Sequence, residues 1–292
     1  MIKNYFKLLR IPQWIKNFFV FVPLVFSQHL FEINYFLLAL AGFAIFCLAS
    51  STVYVINDVM DVELDKVHLV KKFRPIASGK ISSRDALITA FVLILILGAA
   101  LTCFRSGFAV AVLSYFVLNI FYSFSFKHIV LLDIFSIAAG FMLRVVAGGL
   151  IIDVAISSWL LLTTMFISLF LAVIKRQSEL KLNNEDTNPV TRKVLSLYSM
   201  DFTNQIATVT ASGVIICYAI YTVSARTVSI FGTENLIYTT PFVVFGIFRY
   251  MYLVYISNKG ENTTEIMLTD LPMILNILLY ILIVTLIIYK II

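Results

Sequence analysis

Charged side chains are scarce in this sequence. Only 13% of its 292 residues are Asp, Glu, Lys or Arg, whereas 61% are hydrophobic. Soluble domains carry about 25% charged residues, so this composition excludes a soluble globular protein and predicts an integral membrane protein. The 22 basic residues outnumber the 16 acidic ones. In a membrane protein this excess indicates orientation and contact with anionic lipids rather than binding to nucleic acid.

Cysteine is rarer still. Cys47, Cys103 and Cys217 lie far apart, each within an apolar run, which argues against a disulfide framework or a zinc site. The sequence also lacks a nucleophile elbow, a Walker loop, a dinucleotide-binding fingerprint and a metalloprotease histidine pair. Nothing in it points to a covalent intermediate.

The sequence consists largely of long apolar runs. About nine of them are long enough, at about 20 residues each, to cross a bilayer as helices. They are 16–30, 36–57, 86–104, 107–126, 129–151, 156–174, 204–224, 238–256 and 271–290. Pro23 and Gln28 interrupt the first run. The expected fold class is therefore all-α, a polytopic membrane protein whose transmembrane helices surround a central cavity.

The basic residues are distributed unevenly over the connections between these runs. With the N-terminus in the cytoplasm, 18 of the 22 basic residues fall on the cytoplasmic side, as the positive-inside rule expects. This predicts an N-in, C-out protein of the cytoplasmic (inner) membrane, with its active site facing the cytoplasm. Residues 1–292 would form a single domain with two long cytoplasmic loops, at 58–85 and 175–203, and long loops tend to carry function.

The most informative cluster is acidic and lies where the second run meets the cytoplasm. Asp58, Asp61 and Asp65 are spaced i, i+3 and i+7, so on one helix they share a face, with Asn57 beside them. Carboxylates this close repel one another unless a cation lies between them, and ionisable groups at such a depth are usually functional. The spacing predicts a Mg²⁺ site that carries a phosphorylated substrate.

A basic run follows the acids. Lys71, Lys72 and Arg74 can neutralise phosphate oxygens, while Pro75 and Gly79 shape a loop. These bases also satisfy the positive-inside rule on their own. Taken together with the aspartates, they favour a site for a metal–phosphate ligand.

The second long loop offers two readings. Lys175, Arg176 and Glu179 open it, either as an ordinary charged helix end with an i, i+4 pair or as a second phosphate clamp. Asp201, at the mouth of the seventh run, could complete the polar rim.

Tyr122 and Lys127 end the fourth run and would border the same cytoplasmic mouth. Tyr122 also fits the aromatic belt at the membrane interface. Arg144 lies much deeper, about 16 Å beyond Asp133 at 1.5 Å per residue. A buried guanidinium needs partners, and a lipid phosphate, backbone carbonyls or cavity water could supply them.

The acidic motif resembles a known family. Asn57-Asp58-x-x-Asp61-x-x-x-Asp65, at the cytoplasmic end of the second of nine runs, resembles the UbiA-type superfamily of intramembrane prenyltransferases. Within it, the segments at 12–17, 74–79, 122–127, 133–149 and 175–180 are similar to the phosphoribosyltransferases that act on polyprenyl phosphates. The resemblance covers most of residues 10–205, and the last third matches in hydropathy only.

The resemblance implies a Mg²⁺-dependent transferase with phosphoribosyl diphosphate as donor, a decaprenyl-type polyprenyl phosphate as acceptor, and diphosphate as product. It implies metal-binding and catalytic roles for Asp58, Asp61 and Asp65, and catalytic roles for Tyr122 and Lys127. The substrate-binding residues that it implies are Asn57, Lys16, Lys71, Lys72, Arg74, Arg144, Lys175, Arg176, Glu179 and Asp201.

The sequence departs from the family pattern after the sixth run. Aromatic prenyltransferases of this superfamily carry a second aspartate-rich motif there, and this chain has Lys175, Arg176 and Glu179 instead. The exchange of acids for bases argues against two Mg²⁺ ions on a prenyl diphosphate and fits a sugar with an additional 5-phosphate. In the first loop, Lys66, Leu69 and Lys72 stand where the subgroup more often has Arg, Pro and Arg.

Two other functions stay open. One is a UbiA-type enzyme that moves a prenyl group from prenyl diphosphate to an aromatic or quinone-precursor acceptor. The other is a transporter, although the polar groups cluster at one membrane face and do not line a path across. The partners expected are phosphoribosyl diphosphate, polyprenyl phosphate and membrane lipids, without nucleic acid, and a homo-oligomer is compatible with the sequence.

Overall fold

The computed structural model of the chain describes residues 2–67, 70–185, 193–256 and 269–290. Regular structure within these ranges is helical throughout, which confirms the all-α fold class. Eight of the helices are long and apolar enough to cross a membrane. They are α1 (Ile33–Met60), α2 (Ser83–Leu101), α3 (Ser106–Phe124), α4 (Leu132–Ile151), α5 (Ser158–Glu185), α6 (Met200–Val223), α7 (Thr240–Tyr255) and α8 (Leu271–Ile288). The span at α7 reaches this length together with the 3₁₀ helix Asn235–Thr239 that precedes it.

The first apolar run, expected at 16–30, is shorter and wound differently from the other eight. It forms a 3₁₀ helix, Ile11–Phe21, followed by a single turn of α-helix, Val22–Val25. Proline explains part of the difference, because Pro23 has no N–H to donate to the carbonyl of Phe19. The N–H of Val22 bonds to that carbonyl instead, in the tighter i→i−3 pattern of a 3₁₀ helix.

The two long loops, expected at 58–85 and 175–203, are more helical than predicted. α1 ends at Met60, and Asp61 then leaves the helical conformation with φ −90° and ψ 6°. A short helix, Val62–Val67, and a 3₁₀ turn, Lys71–Phe73, follow. In the second loop, α5 continues through Glu185, because its Lys, Arg, Gln and Glu side chains are good helix formers. A 3₁₀ turn, Lys193–Leu197, comes next. Residues 68–69 and 186–192 of the two loops lie outside the described ranges.

Four further short helices precede or connect the long ones. They are Ile2–Leu8, Phe126–His128, Ala225–Phe231 and Asn235–Thr239. The chain divides into two compact units, the first made of residues 1–24, 29–136 and 140–155 and the second of residues 25–28, 137–139 and 156–292. That the whole chain acts as one domain stays a prediction.

The first unit has its core where the 3₁₀ helix Ile11–Phe21 packs against α1 and α4. Val20, Phe46 and Ala147 are fully buried there. Gly148 permits the close approach, because a Cβ atom at this position would lie 2.2 Å from the carbonyl oxygen of Val20. The 3₁₀ helix is therefore held tightly against α4.

The second unit is built on α5 and α6, which pack along each other. Gly213 of α6 faces the ring of Phe166 of α5, where a Cβ atom would lie 2.4 Å from a ring carbon. At the start of α8, Asp270 accepts two hydrogen bonds from Arg249 of α7, at 3.0 and 2.8 Å. In both units the long helices expose large apolar side chains, such as Phe91 and Leu278, as expected of an integral, multi-pass membrane protein.

Candidate functional site

Asp58 and Asp65 are brought together by one arginine. Both carboxylates are almost completely buried, at 2% and 3% exposure. Arg74 Nη1 donates to Asp58 Oδ1 at 3.0 Å and to Asp65 Oδ2 at 2.5 Å. Because α1 ends at Met60, the two aspartates lie on different helices. Arg74, and not a continuous helix, is what joins them.

Arg10 is a second cation on the same cluster. Its Nη2 donates to Asp58 Oδ1, and its guanidinium lies 4.8 Å from the centre of the Tyr54 ring. Arg10 has a left-handed backbone, with φ 51° and ψ 45°, immediately before the 3₁₀ helix. The bend at this residue brings the N-terminal segment onto the end of α1.

Asp61 belongs to the cluster through another pair of partners. Lys127 Nζ donates to Asp61 Oδ1 at 2.7 Å, and Asn57 Nδ2 donates to Asp61 Oδ2 at 3.0 Å. Lys127 is buried, although it lies on the short turn after α3. Both oxygens of Asp61 are therefore engaged, and its place beside Asn57 is as expected from the sequence.

Asp58, Asp61 and Asp65 form the aspartate cluster. Their three carboxylates pair with three cations of the same unit, Arg10, Arg74 and Lys127. The part of the chain that the structure describes holds no group of three Asp, Glu, His or Cys side chains placed around a common metal position. The metal-binding role of all three aspartates stays a prediction, and two of them fit it best.

Asp58 and Asp65 each accept hydrogen bonds from described residues at only one oxygen, Oδ1 and Oδ2 respectively. Each therefore keeps a second oxygen for a cation. Mg²⁺ typically takes one or two protein carboxylates and completes its six ligands with water and substrate phosphates. The donor set of this unit fits a Mg²⁺ ion that arrives with a diphosphate.

Other charged residues of the first loop are more exposed than the buried aspartates of the cluster. Lys72 is exposed, with its ammonium 5.3 Å from the centre of the Phe73 ring. Lys71 is half-buried on the same 3₁₀ turn. Exposed Glu63 pairs with Lys66 at 2.7 Å. Tyr122, near the end of α3, is half-buried. The expected substrate roles of Lys71 and Lys72 and the catalytic role of Tyr122 stay predictions.

Arg144 is buried in the first unit, at 5% exposure, and its hydrogen bonds go to neutral groups. Nε donates to Asn17 Oδ1 at 2.8 Å, Nη1 to the Gly140 carbonyl at 2.9 Å, and Nη2 to the Tyr115 hydroxyl at 2.9 Å. Asn17 in turn donates to Ser50 Oγ of α1 at 3.2 Å. Of the partners weighed from the sequence, a backbone carbonyl is present, together with two side chains that the sequence did not indicate.

Lys16 precedes Asn17 on the 3₁₀ helix and is half-buried. Its neighbour Asn17 accepts a hydrogen bond from Arg144, and Arg10, which contacts Asp58, directly precedes the same 3₁₀ helix. Along the chain, Lys16 therefore lies between a residue that contacts the aspartate cluster and one that contacts Arg144.

In the second unit, the candidates on α5 form their own group. Arg176 is fully buried and pairs with Glu179, while Gln177, also fully buried, donates to Asn204 of α6. Lys175 is exposed on the same helix. Asp201 is exposed in the first turn of α6, where a carboxylate stabilises the helix dipole. The substrate roles of Lys175, Arg176, Glu179 and Asp201 stay predictions.

Sequence reasoning assigned no site role to Arg10, Asn17 or Tyr115. Arg10 is 48 residues from Asp58, and Asn17 is 127 residues from Arg144, so no helical spacing relates them. The available signal was the segment at 12–17, which resembles the family and lies directly after Arg10.

Comparison with known proteins identifies the family of this chain. The model of the UbiA prenyltransferase family matches residues 18–288. A decaprenyl-phosphate phosphoribosyltransferase from Mycolicibacterium smegmatis is 35% identical, over 77% of this chain and 71% of its own length. One from Corynebacterium glutamicum is also 35% identical, over 74% of this chain and 66% of its own length.

Among solved structures, a UbiA homolog from Archaeoglobus fulgidus bound to DMAPP and Mg²⁺ has the same fold. The TM-score is 0.73 at 17% identity, over 99% of this chain and 100% of the other. At 17% identity, this similarity supports the fold only.

Proposed function

The chain belongs to the UbiA prenyltransferase family, and we propose that it transfers 5-phosphoribose from phosphoribosyl diphosphate to a polyprenyl phosphate. The chain is a membrane transferase, which removes the transporter alternative. What carries the choice of reaction is the similarity to relatives named decaprenyl-phosphate phosphoribosyltransferase over about three quarters of this chain.

The first unit supports the donor end of this reaction. Asp58 and Asp65 would hold Mg²⁺ through the oxygens that Arg74 leaves open. When bound, the ion would stabilise the negative charge of the departing diphosphate. Arg10 and Arg74 already lie at this position and would turn from the carboxylates to phosphate oxygens, which guanidinium groups bind in a bidentate manner.

Lys127 and Asn57 have a positioning role in this scheme. They hold both oxygens of Asp61, so this carboxylate keeps the end of α1 and the turn after α3 together. We expect Asp61 to fix the shape of the site, with Asp58 and Asp65 in direct contact with the ion.

The reaction itself needs no strong protein base. The phosphate of the lipid acceptor is ionised at neutral pH and supplies the attacking oxygen. The bond from ribose C1 to the diphosphate oxygen breaks as the bond from C1 to the acceptor oxygen forms, through a transition state with oxocarbenium character. We expect the apolar surroundings of the membrane helices to keep water from intercepting this cation.

The membrane arrangement is part of the proposal. We infer an N-in, C-out chain in the cytoplasmic membrane with the aspartate cluster at the cytoplasmic face, because 18 of the 22 basic residues then lie inside. A water-soluble sugar donor would reach the cluster from the cytoplasm, and the lipid acceptor would enter from the bilayer.

The test is an assay with the purified full-length protein in nanodiscs. Labelled phosphoribosyl diphosphate and a polyprenyl phosphate should give lipid-linked label and free diphosphate, and chelation of Mg²⁺ should stop the reaction reversibly. Absence of lipid-linked label, together with transfer from a prenyl diphosphate to an aromatic acceptor, would replace this proposal by the aromatic prenyltransferase alternative.

A further inference from the structure

Some positive charges of the first unit have no acidic partner among the described residues. The three carboxylates of the aspartate cluster are matched by Arg10, Arg74 and Lys127. Arg144 and Lys16, in the same unit, have no such match. Among the described residues Arg144 bonds only to neutral oxygens, and Lys16 has neither a hydrogen bond nor an ion pair. Arg144 is buried and faces the rings of Tyr115 and Phe141, and Lys16 is half-buried. Two positive charges thus lack an anionic partner among the described residues.

Uncompensated cations are costly at membrane depth, so such a pair points to a missing anion. We propose that Lys16 and Arg144 bind the phosphate of the lipid acceptor, an inference that rests on the proposed function. A phosphomonoester carries about −1.5 to −2 charge at neutral pH, which matches the two cations. Phosphate oxygens are also strong acceptors for ammonium and guanidinium donors.

The neighbouring side chains prepare Arg144 for this role. Asn17 accepts from Nε and also donates to Ser50 and Cys47, so its amide has a fixed orientation. The Gly140 carbonyl accepts one N–H of Nη1, and the Tyr115 hydroxyl accepts one N–H of Nη2. A guanidinium has five N–H groups, and three are used here, which leaves one on each terminal nitrogen for a ligand.

The position of Lys16 suits the reaction. It adjoins Asn17, which holds Arg144, and it lies on the 3₁₀ helix that begins directly after Arg10, which contacts Asp58. A phosphate on Lys16 would therefore lie between the deep arginine and the donor site. This is where an acceptor must lie if its phosphate oxygen is to reach a sugar held by Asp58 and Asp65.

The test compares Lys16→Gln with Lys16→Arg in full-length protein in nanodiscs. Binding of a polyprenyl phosphate is measured without donor, with the matching polyprenol as the phosphate-free probe. Lys16→Gln should weaken polyprenyl phosphate binding about tenfold or more, the usual effect of losing a charge-assisted hydrogen bond. Lys16→Arg should stay within a few-fold of wild type, and polyprenol binding should be the same in all three proteins.

Two other phosphate sources are tested in the same preparation. Binding of phosphoribosyl diphosphate should be unchanged in Lys16→Gln, and phosphatidic acid should not displace the polyprenyl phosphate. Equal loss of donor binding would move Lys16 to the donor site, and displacement by phosphatidic acid would make this a general lipid headgroup site. Either result overturns the proposal, as does wild-type polyprenyl phosphate binding by Lys16→Gln.

Kinetics separate this inference from the proposed function. Lys16→Gln should raise the KM for polyprenyl phosphate about tenfold and leave the KM for the donor unchanged. Arg105→Gln, which removes an exposed ion pair with Asp153, is the charge-matched control and should behave as wild type. A wild-type enzyme that transfers phosphoribose while Lys16→Gln keeps its lipid KM would refute the acceptor site alone. A wild-type enzyme without this activity would refute the proposed function, and the binding comparison would still decide whether Lys16 holds a phosphate.

Discussion

Arg74 shares one terminal nitrogen between two carboxylates, at 3.0 Å from Asp58 and 2.5 Å from Asp65. A lysine could contact one of them, but its ammonium lacks the planar fork that also grips a phosphate. We expect Arg74→Lys to raise the KM for phosphoribosyl diphosphate at least about tenfold, the loss of one charge-assisted hydrogen bond, with little change in the KM for the lipid. Arg84→Lys, at an exposed position at the start of α2, is the matched control. An unchanged donor KM in Arg74→Lys would contradict this role.

Asp58 accepts hydrogen bonds from Arg10 and Arg74 through the same oxygen, Oδ1. In Asp58→Asn the amide oxygen can still accept them, so the fold should persist, but the negative charge needed by Mg²⁺ is gone. We expect kcat to fall at least about 100-fold, because metal stabilisation of a leaving group contributes several kcal/mol. Activity measured over a Mg²⁺ titration, with the melting temperature alongside, checks this. Asp153→Asn, at an exposed position outside the cluster, should retain activity.

The aspartates could be identified from the sequence because their spacing is local and they interrupt an apolar run. Their partners could not be identified in the same way. Arg10 reaches Asp58 only because its own backbone is left-handed and because the 3₁₀ helix runs along α1. A contact that depends on tertiary packing leaves no periodic signal.

At the scale of elements, Gly148 is the point where α4 touches the 3₁₀ helix. A Cβ atom there would meet the backbone oxygen of Val20 at 2.2 Å, and backbone cannot rotate away as a side chain can. We expect Gly148→Ala to destabilise the protein by about 1–3 kcal/mol, a typical cost of overpacking, and to lower its melting temperature.

Gly98→Ala in α2 is the control for this change. A Cβ atom at Gly98 would meet nothing within 4 Å, and replacing a helical glycine by alanine gains about 0.5–1 kcal/mol from propensity. Its melting temperature should equal or exceed that of wild type. Equal melting temperatures for both variants would show that α4 and the 3₁₀ helix are less tightly joined than described.

The eight long helices were predictable because hydrophobic length is a local property. The ends of the helices were less so. The break at Asp61 and the extension of α5 to Glu185 occur among polar residues, where hydropathy no longer distinguishes helix from loop. The 3₁₀ winding of Ile11–Phe21 depends on Pro23 and on the narrow space beside Gly148, which only the packed structure reveals.

At the scale of the whole molecule, the proposed orientation can be tested with a native cysteine. Cys103, between α2 and α3, is exposed, whereas Cys47 and Cys217 are buried. In the N-in, C-out arrangement Cys103 lies on the outer side. A membrane-impermeant maleimide should therefore label the wild-type protein in intact cells, and Cys103→Ser should abolish the labelling.

The matched control places a cysteine at the opposite membrane face. Ser125 is exposed just after α3, on the predicted cytoplasmic side. In a Cys103→Ser background, Ser125→Cys should be labelled only after permeabilisation. Labelling of Ser125→Cys in intact cells would reverse the proposed topology and place the aspartate cluster outside.

The pairing of Arg10, Arg74 and Lys127 with the three aspartates bears on how the protein is made. A newly synthesised chain carries its own counterions, so its three carboxylates are neutralised during biogenesis before any ion or sugar diphosphate arrives. In the proposed reaction, loading of the donor would then be an exchange of partners within an already assembled site, and the guanidinium groups released from the carboxylates would be in place to bind the donor phosphates.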